Sequence, residues 1–481
     1  MTPFRLRAIC LAALFFALCM EPLSVLNAGF GSLETLAFAA GSVIVGVVLG
    51  ALFRTPLNFS LIAGLLVYAL IDANLVSGMW EVAALVLAPI VVGLLIRYRP
   101  VEVPLGIAVF SLVFGLAAFF TPAKPMLDTR EPTAMVADQD QRFSYLHIIL
   151  DEQMSPTVEA PSIFPVDGRE EVVRAYTDRG FRLYAHAESS SYLSYKSISD
   201  IFGFRDTTDN YVELADDSLT EYAVSENVLI DNLLTAGFSP TVIQTDYLDI
   251  CTDDPRVRCS TYGTDIDLQT GRLAGISPLR RVGLAATALH ARFLDGPNQI
   301  VLYRHIVVAV ARLNGYKARR LWDFMRPTGN LILIDELTPR VDAMQPGDAL
   351  VVHLMITHFP YVLSADCDLR ERAAWQAPLP ADQNATLESA YRAYWEQSIC
   401  THRSLAKLLD IAAEKDHMIV VVHGDHGARM ITGVDEGDPI DQLSTMLAVK
   451  TPDSEGGLVT EIVPLPETLA RELTPLLLSS Q

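Results

Sequence analysis

The chemically most distinctive stretch of the sequence follows an apolar run and reads Val420-Val-Val-His-Gly-Asp-His-Gly427. The apolar run ends at Val422, and a turn with two glycines then presents His423, Asp425 and His426. A carboxylate beside an imidazole at a strand end suits a divalent metal, because the backbone holds one hard oxygen and one nitrogen together. The glycines let the chain turn sharply beside an ion. The motif predicts a metal site; an ordinary polar turn is the alternative, since short motifs also match by chance.

Acidic and imidazole side chains mark the ends of two other apolar runs. Asp151 and Glu152 follow the first apolar run of the polar part of the chain, whereas His353 lies inside the run 348–355 and His358 comes after it. A solvated strand end is the alternative for the two acids, and a satisfied core histidine is the alternative for His353. Because ligands gather at the carboxyl ends of parallel strands, we expect these side chains to converge on the metal motif.

A run of hydroxyl side chains, Glu188-Ser-Ser-Ser-Tyr-Leu-Ser-Tyr-Lys-Ser-Ile-Ser199, follows the apolar run 181–187. The pattern predicts a turn that leads into a helix. A nucleophilic hydroxyl at a helix N-terminus gains from the helix dipole and from free backbone amides, which also bind an anionic substrate. The alternative is that these serines cap the helix, which is their commoner role.

Apolar runs alternate with helical patterns along the polar part of the chain. The predicted strands lie at 143–150, 181–187, 240–245, 348–355, 417–422 and 445–450, and the predicted helices at 169–179, 224–236, 276–325 and 386–415. This alternation indicates an α/β sandwich with a mainly parallel central sheet. The polar residues named above then share one edge of that sheet.

The beginning of the chain is apolar enough to lie in a membrane. A spanning helix needs roughly 20 mainly apolar residues, and five stretches reach or approach this length: about 6–27, 35–53, 58–77, 80–96 and 102–121. The basic flanks fall on one side of these stretches, which the positive-inside rule assigns to the cytoplasm. A cleaved signal peptide is the alternative for the first stretch. We predict a five-helix transmembrane domain over 1–121, a Pro-rich polar linker over 122–142 and an extracytoplasmic catalytic domain over 143–481.

Charge is distributed unevenly along the chain. Of its 481 residues, 51% are hydrophobic, and the formal net charge is −21. The first 124 residues hold six basic and five acidic side chains, a net charge of +1, so the remainder carries −22. Such an acidic domain argues against a nucleic acid partner, because phosphate backbones need a basic footprint. A small phosphate ester bound through a metal is compatible with this charge.

The six cysteines fall into two groups. Two lie in the first apolar stretch and are expected to be inert packing residues. Cys251, Cys259, Cys367 and Cys400 lie in the polar part, where an even count permits two disulfides in an oxidising compartment. Sequence does not fix the connectivity; we favour Cys251 with Cys259, which closes a short polar loop, and Cys367 with Cys400.

Four motifs resemble, in the same order, those of the alkaline phosphatase/sulfatase superfamily. They are Leu150-Asp-Glu152, Ser194-x-x-Ser197-Ile198, His353-x4-His358-Phe-Pro-Tyr361 and His423-Gly-Asp-His-Gly427. With a five-span anchor ahead of them, the layout is similar to the membrane phosphotransferases of that superfamily, the lipoteichoic-acid synthases and the lipid A phosphoethanolamine transferases. The resemblance covers nearly the whole chain in layout and leaves residues 205–345 unmatched.

The resemblance implies a role for each motif. Ser194 takes the position of a nucleophilic Thr with Ser197 behind it, and the neighbouring Ser191 and Ser189 stay open as alternatives. One divalent ion, Zn²⁺ or Mn²⁺, is implied, and its ligands would be Ser194, Asp425, His426 and one or both of Asp151 and Glu152. The substrate-contacting residues would be His358, which is also a possible proton donor, together with His353, Ser197 and Lys196. For Lys196 a solvated lysine is the simpler interpretation.

The function that the resemblance implies is transfer of a phospholipid headgroup, phosphoglycerol or phosphoethanolamine, to a sugar or lipid acceptor of the cell envelope through a covalent phosphoserine. The protein would then be a multi-pass protein of the bacterial inner membrane with its catalytic domain in the periplasm or outside. Sulfatase activity is disfavoured, because no Pro and Arg follow Ser194 in the spacing that formylglycine maturation needs. The alternatives are a metal-dependent phosphate or sulfate ester hydrolase and a non-catalytic protein that binds an envelope glycan.

Overall fold

The computed structural model describes residues 3–25, 32–67, 79–120, 127–130, 142–157, 169–262, 277–286, 325–370, 379–380, 384–432 and 442–478, with short gaps inside some of these ranges. The chain divides into two compact units. We call them the helical unit, which comprises Met1–Lys124 and Asp265–Met325, and the sheet unit, which comprises Pro125–Thr264 and Arg326–Gln481.

The helical unit is built from long apolar helices. They are α1 (Pro3–Val25), α2 (Leu33–Leu52), α3 (Met79–Tyr98) and α4 (Glu102–Phe120). Helix α1 packs against both α2 and α4. At the first of these crossings a Cβ on Gly46 would lie 2.5 Å from the carbonyl oxygen of Ala8, so only glycine permits this approach.

One helix of the described residues, α2, has the length and apolar composition needed to cross a membrane. Four of the five predicted spans overlap α1 to α4, but most of the predicted span 58–77 lies outside the described residues. The structure therefore supports one candidate membrane helix, and the five-helix bundle stays a prediction.

Residues 277–286 belong to the helical unit although they follow long after its other helices in sequence. Residues 279–286 are helical. The guanidinium of Arg281 lies 2.8 Å from the carboxylate of Glu34, which is fully buried at the start of α2. Most of the predicted helical stretch 276–325 lies outside the described residues.

A ten-stranded sheet forms the centre of the sheet unit, and its strands follow the spatial order β1-β8-β6-β9-β2-β11-β13-β3-β14, with β15 also paired to β3. Its strands are β1 (Leu127–Arg130), β2 (Ser144–Leu150), β3 (Arg182–Glu188), β6 (Ser239–Thr245), β8 (Arg258–Tyr262), β9 (Asp348–Leu354), β11 (Met418–Gly424), β13 (Ser444–Lys450), β14 (Gly457–Val459) and β15 (Val463–Pro464). The pairings β1–β8, β11–β13 and β13–β3 are antiparallel and the others are parallel, so the sheet is mainly parallel, as predicted.

Two small sheets complete the strands, one with β4 (Tyr211–Glu213), β5 (Tyr222–Val224) and β7 (Leu248–Asp249), and one with β10 (Leu379–Pro380) and β12 (Ile431–Thr432). The helices of this unit are α5 (Arg169–Thr177), α6 (Ser194–Gly203), α7 (Val228–Thr235), α8 (Met325–Ala343), α9 (Asn384–Glu414) and α10 (Leu465–Leu478). Helix α9 packs against β11 and α5, whereas α6, α7 and α10 pack on one another.

The central strands are continuous apolar runs because both faces of a parallel sheet are covered. Every residue of β2 and of β11 is buried. In the register of these strands Leu150 lies opposite both Gly424 and Leu354, so β2, β11 and β9 end together. This common end sets the position of the candidate site.

Two features differ from the sequence-based expectation. Strand β11 continues to Gly424, two residues beyond the predicted end, so His423 lies inside the strand rather than in the turn. Strand β1 lies within the predicted linker 122–142 and pairs with β8. A short edge strand such as β1 is fixed by long-range pairing, for which the local pattern gives little signal.

Both predicted disulfides are confirmed. One joins Cys251 to Cys259 and the other joins Cys367 to Cys400. The second attaches the loop after β9 to the middle of α9. A cross-link of this kind stabilises the fold mainly by restricting the unfolded chain.

Candidate active site

Two carboxylates occupy the common end of the central strands. Asp151 directly follows β2 and Asp425 directly follows β11, and both are buried. The backbone N–H of Asp151 donates to the Leu354 carbonyl at 2.9 Å, which extends the parallel pairing by one residue. One oxygen of Asp425, Oδ1, accepts the backbone N–H groups of Glu152 at 2.9 Å and His426 at 2.8 Å.

The remaining oxygens form a group that could hold a cation. One ligand atom each from Asp151, Asp425 and His426 can be chosen so that all lie within 4.8 Å of one another. Asp151 Oδ1 and Asp425 Oδ2 are buried and have no hydrogen-bond partner among the described residues. Buried polar atoms without a partner are costly, and a bound cation would stabilise both. Two carboxylate oxygens and one imidazole nitrogen suit Zn²⁺ or Mn²⁺, so these residues fit the predicted metal.

Hydrogen bonding fixes the tautomer of His426. Its Nδ1 lies 2.7 Å from the carbonyl oxygen of Gly427, which can only accept, so Nδ1 carries the proton. Burial lowers the pKa of His426 to about 3, with Arg429 adding to the effect, so the ring is neutral. The bare Nε2 lies 3.0 Å from Ser194 Oγ and 3.2 Å from Asp425 Oδ2. The hydroxyl of Ser194 and a carboxylate oxygen of Asp425 therefore both lie close to the unprotonated nitrogen of His426.

Helix α6 begins at Ser194, where the helix dipole favours negative charge. One turn later, Ser197 Oγ donates to the Asp425 carbonyl at 2.5 Å, which attaches the start of α6 to the loop after β11. Ser189 Oγ contacts Ser197 Oγ at 2.7 Å, and Ser191 Oγ accepts the N–H of Leu193. Of the serines considered as nucleophiles, Ser194 is thus the one placed beside the imidazole, whereas Ser189 and Ser191 bond locally.

Glu152 turns away from the Asp425 side of the site. Its backbone is left-handed, with φ 61°, and its carboxylate accepts from the Arg429 guanidinium and from the N–H of Phe359 at 3.2 Å. It belongs to a second group of possible ligands, with Asp151 and His358, whose ligand atoms also lie within 4.8 Å of one another. Burial raises the pKa of Glu152 to about 7, although the charge of Arg429 opposes this rise.

Arg429 lies at the candidate site, although the sequence motifs did not indicate it. Its guanidinium pairs with Glu152, and its own backbone is left-handed at φ 49°. Burial acts to lower the pKa of Arg429, but the charge and hydrogen bond of Glu152 together with the charges of Asp151 and Asp425 outweigh burial and raise it. The signal in the sequence is weak, because only its place three residues after His426 marks it.

The two predicted substrate histidines lie in different surroundings. His353 is fully buried in β9, and its Nε2 donates to Asp151 Oδ2 at 3.0 Å. His358 is 6% exposed, its Nδ1 donates to the Phe359 carbonyl at 2.6 Å, and its Nε2 lies 3.7 Å from Glu152 Oε1. His353 therefore orients a carboxylate, a role usual for the second shell of a metal site, and His358 lies beside Glu152 at the site.

The pKa values of the two buried aspartates are shifted in opposite directions. Burial acts to raise the pKa of Asp151, but the hydrogen bond from His353 and the nearby histidines outweigh it and lower the pKa below its usual range. Burial, followed by the charge of Asp151, raises the pKa of Asp425 well above its usual range. Without a cation, protonation is therefore favoured more at Asp425 than at Asp151.

His423 belongs to the sheet interior. Its Nδ1 contacts the Gly424 carbonyl at 2.8 Å, so its Nε2 is bare and accepts from His147 Nε2 at 2.7 Å. Tyr145 in turn donates to His147 Nδ1 at 2.7 Å. Burial lowers the pKa of His423 to about 4, so this buried chain is neutral and structural.

Gly424 serves close packing rather than a special backbone angle. A Cβ there would lie 2.2 Å from Thr445 Oγ1 and 2.5 Å from the Gln153 carbonyl oxygen. Lys196, the remaining predicted contact residue, places its ammonium 6.0 Å from the centre of the Tyr195 ring and 5.9 Å from that of Tyr211.

Comparison with known proteins yields matches only at the level of structure. No family model and no curated protein matches the sequence. One similar structure is the C-terminal periplasmic domain of EcEptC from Escherichia coli in complex with Zn, at 11% identity and TM-score 0.34, over 69% of this chain and 77% of that one. Another is a phosphonate monoester hydrolase of Agrobacterium radiobacter, at 11% identity and TM-score 0.38, over 70% and 78%.

A third similar structure comes from Vibrio parahaemolyticus, at 12% identity and TM-score 0.36, over 73% of this chain and 69% of that one. At these identities and TM-scores the likeness assigns no activity to this chain. The solved structures similar to it include a member of the alkaline phosphatase superfamily, the group that its sequence motifs resemble.

Proposed function

We propose that this protein is a metal-dependent phosphotransferase that moves a phospholipid headgroup, phosphoglycerol or phosphoethanolamine, to an envelope acceptor through a covalent phosphoserine. One observation carries the proposal. The hydroxyl of Ser194 lies 3.0 Å from the bare nitrogen of His426, beside the unpartnered oxygens of Asp151 and Asp425. A nucleophile, a cation site and a helix N-terminus then meet at one point, which suits attack on an anionic ester.

Asp151, Asp425 and His426 would hold the ion, with Ser194 as the fourth ligand. When bound, a divalent ion supplies Lewis acidity that lowers the pKa of an adjacent hydroxyl and offsets charge on phosphoryl oxygens. His353 keeps Asp151 oriented through the 3.0 Å hydrogen bond. Ser197 keeps the start of α6 against the loop that carries the other ligands.

In the first step, Ser194 Oγ forms a bond to phosphorus while the bond from phosphorus to the diacylglycerol oxygen breaks. The leaving diacylglycerol takes a proton, for which His358 is the proposed donor because it is 6% exposed beside the site. In the second step an acceptor hydroxyl attacks the phosphoserine, the bond to Ser194 breaks, and the acceptor loses a proton. Ser194 Oγ gives up its proton in the first step and regains one in the second, so the protons lost by Ser194 and the acceptor match those taken up by diacylglycerol and Ser194.

Arg429 and Glu152 form an ion pair beside Asp151. The guanidinium of Arg429 is a fixed positive charge held by Glu152. We propose that it steers the anionic phosphodiester toward Ser194, with Glu152 setting its position. Such a role explains why a charged pair is kept in a buried setting where ion pairs add little stability.

A lipid donor calls for membrane attachment. The apolar helix α2 supports an anchor in the cytoplasmic membrane. The two disulfides support a catalytic domain that faces an oxidising compartment, such as the periplasm. The five-span topology with a cytoplasmic N-terminus is part of this proposal.

Mass spectrometry of the protein after incubation with phospholipid vesicles and Zn²⁺ or Mn²⁺ tests the proposal. We expect an adduct on the Ser194 peptide with the mass of phosphoglycerol or phosphoethanolamine. Ser194→Ala should lose the adduct and lower turnover by at least about 10³-fold, since the nucleophile is removed. Ser191→Ala, on the same loop, should retain both. An adduct that persists in Ser194→Ala would show that another residue is the nucleophile.

The fate of the headgroup separates transfer from hydrolysis. In the presence of a sugar acceptor we expect the headgroup on the sugar, and release to water should be the minor outcome. If the headgroup always ends on water, the protein is an ester hydrolase. If no adduct forms with any phospholipid while metal binds, the phosphotransferase proposal is overturned.

A further inference from the structure

Four tyrosine rings form a contiguous surface beside the candidate nucleophile. This ring cluster consists of Tyr195, Tyr211, Tyr222 and Tyr247. The rings of Tyr195 and Tyr222 are stacked with centroids 4.1 Å apart and an interplanar angle of 7°. Tyr211 meets Tyr195 edge-on at 4.6 Å, and Tyr247 meets Tyr222 edge-on at 5.4 Å.

The ring cluster is built on elements that lie next to the site. Tyr195 directly follows Ser194 on α6, and Tyr211 and Tyr222 lie on the neighbouring strands β4 and β5. Helix α6 packs against both strands. Burial, then Tyr222 and then the negative charge of Asp151 raise the pKa of Tyr247, so this phenol lies within electrostatic reach of the proposed metal ligands.

The cluster differs from an ordinary core. All four tyrosines are only half-buried, and two glutamates beside them, Glu213 and Glu221, are exposed. Glu213 lies directly across from Tyr222 in the pairing of β4 with β5, so both side chains share one face of the small sheet. The four tyrosines are thus partly accessible to solvent beside two exposed carboxylates, while Tyr195, Tyr222 and Tyr247 also pack against the hydrophobic core.

The charged side chains beside the ring cluster restrict the class of ligand that it can bind. The carboxylates of Glu213 and Glu221 disfavour the anionic donor at this surface, because like charges repel across short distances. A ligand ammonium is disfavoured as well, since the ammonium of Lys196 already lies about 6 Å from the rings of Tyr195 and Tyr211. An uncharged ligand with many hydroxyls meets neither objection.

A sugar ring has the matching chemistry. Its C–H bonds carry partial positive charge, which is attracted to the negative face of an aromatic ring. Its hydroxyls can donate to carboxylates and accept from phenols and from an ammonium. Tyrosine also offers a large contact area at a low cost in side-chain entropy.

We propose that the ring cluster, with Lys196, Glu213 and Glu221 at its edge, is the acceptor subsite and binds an uncharged sugar ring beside Ser194. This inference rests on the proposed phosphotransferase function and assigns the acceptor a class, a glycan rather than a lipid. The subsite positions the acceptor hydroxyl for the second step and takes no part in the first. The tyrosines are positioning residues, since the reacting atoms stay on Ser194 and the acceptor.

Partition of the phosphoserine adduct between sugar and water tests the subsite. With full-length protein in phospholipid vesicles and a neutral oligosaccharide acceptor, we compare wild type with Tyr211→Leu and Tyr222→Leu. The ratio of sugar product to water product should fall about 3- to 10-fold in each variant, since loss of one ring contact has roughly that effect. The rate of diacylglycerol release in the absence of acceptor should stay unchanged.

Matched variants control for the fold. Val212 is exposed on the same strand as Tyr211 and, by alternation, on the opposite face, so Val212→Ala should leave the ratio unchanged. Tyr222→Phe keeps the ring and should keep most of the transfer. Unchanged release of diacylglycerol in a leucine variant shows that its site is folded.

The outcomes separate this inference from the proposed function. If wild type forms no adduct, the phosphotransferase proposal fails and takes the subsite with it. If wild type transfers to sugar and both leucine variants show the wild-type ratio, the subsite alone is wrong. If the leucine variants instead slow diacylglycerol release at an unchanged ratio, the ring cluster binds the donor and the assignment is overturned. Transfer to lipid acceptors alone also overturns it.

Discussion

At the scale of single residues, the protonation of Asp151 and Asp425 is linked to cation binding, because both carboxyl groups are buried next to each other. Each has an oxygen without a hydrogen-bond partner among the described residues, and burial together with Asp151 raises the pKa of Asp425. A cation and a proton therefore compete for the same place. Metal binding should favour the ionised form of Asp425, and removal of the metal should favour its protonated form.

Metal binding should accordingly release about one proton, and metal affinity should rise with pH, because Asp425 has to lose its proton first. Titration calorimetry of Zn²⁺ into chelator-treated protein, in buffers of different ionisation enthalpy, measures this release. Asp425→Asn should bind more weakly and release no proton from this position. Binding enthalpies that are identical in all buffers would contradict the competition.

The pair of Glu152 and Arg429 makes a second prediction at this scale. Because the folded-state pKa of Glu152 is raised to about 7 from 4.5, its neutral form suits the fold, and its contribution to stability is present below about pH 4.5 and is lost as pH rises through about 7. Above about pH 7, the positive charge of Arg429 stabilises the ionised form of Glu152.

Arg429→Met should therefore cost little stability near pH 4.5 and roughly 1–3 kcal/mol above pH 7. The loss should stay below that of a fully buried pair, because the Arg429 side chain is 22% exposed. Chemical denaturation of metal-free protein at both pH values measures it. In the double variant Glu152→Gln/Arg429→Met the loss of stability should no longer depend on pH. Equal losses of stability at both pH values in Arg429→Met would contradict this prediction.

At the scale of elements, the site exists because β2, β9 and β11 end in register. That convergence was predictable, since each strand is a continuous apolar run followed by polar residues, and the predicted bounds differ from those of β2, β9 and β11 by one or two residues. Neither the left-handed backbone of Glu152 nor that of Arg429 has a local sequence signal, so their pairing was missed. The edge strands β1 and β14 and the short strand β8 beside β1 were missed because long-range pairing forms them.

The end of β11 supplies a prediction for packing. Gly424→Ala should destabilise the sheet unit by about 1–3 kcal/mol, since overpacking a filled site forces the backbone to shift. Thermal unfolding measures the loss. Adding Thr445→Ala should restore little, because the Gln153 carbonyl oxygen would still lie 2.5 Å from the new Cβ. A single variant as stable as wild type would show that the strand end has room to relax.

At the scale of the whole molecule, an apolar helical unit and an acidic sheet unit share one chain. From composition the sequence predicts an apolar beginning and an acidic remainder, because the first 124 residues carry a net charge of +1 and the remainder −22. Composition did not predict that Asp265–Met325 would group with the helical unit. Arg281 and the buried Glu34 show one contact of that later segment within the unit, a long-range pairing with no local signal.

Membrane attachment is testable on the intact protein. Because α2 is 20 residues long and apolar, the full-length chain should stay in the membrane pellet after an alkaline carbonate wash and dissolve only with detergent. An outer-leaflet location predicts that protease added to intact spheroplasts cleaves the sheet unit. Release by carbonate alone would exclude an integral anchor.

The hydrogen bond from Ser197 to the Asp425 carbonyl has a consequence for how large substrates enter. It joins the start of α6 to the loop after β11. We therefore expect Ser194 and Asp425 to keep their relative positions when neighbouring segments move. Entry of a phospholipid with two acyl chains should then depend on movement of other surface segments. New substrate preferences could arise there by mutation while the chemical step stays intact.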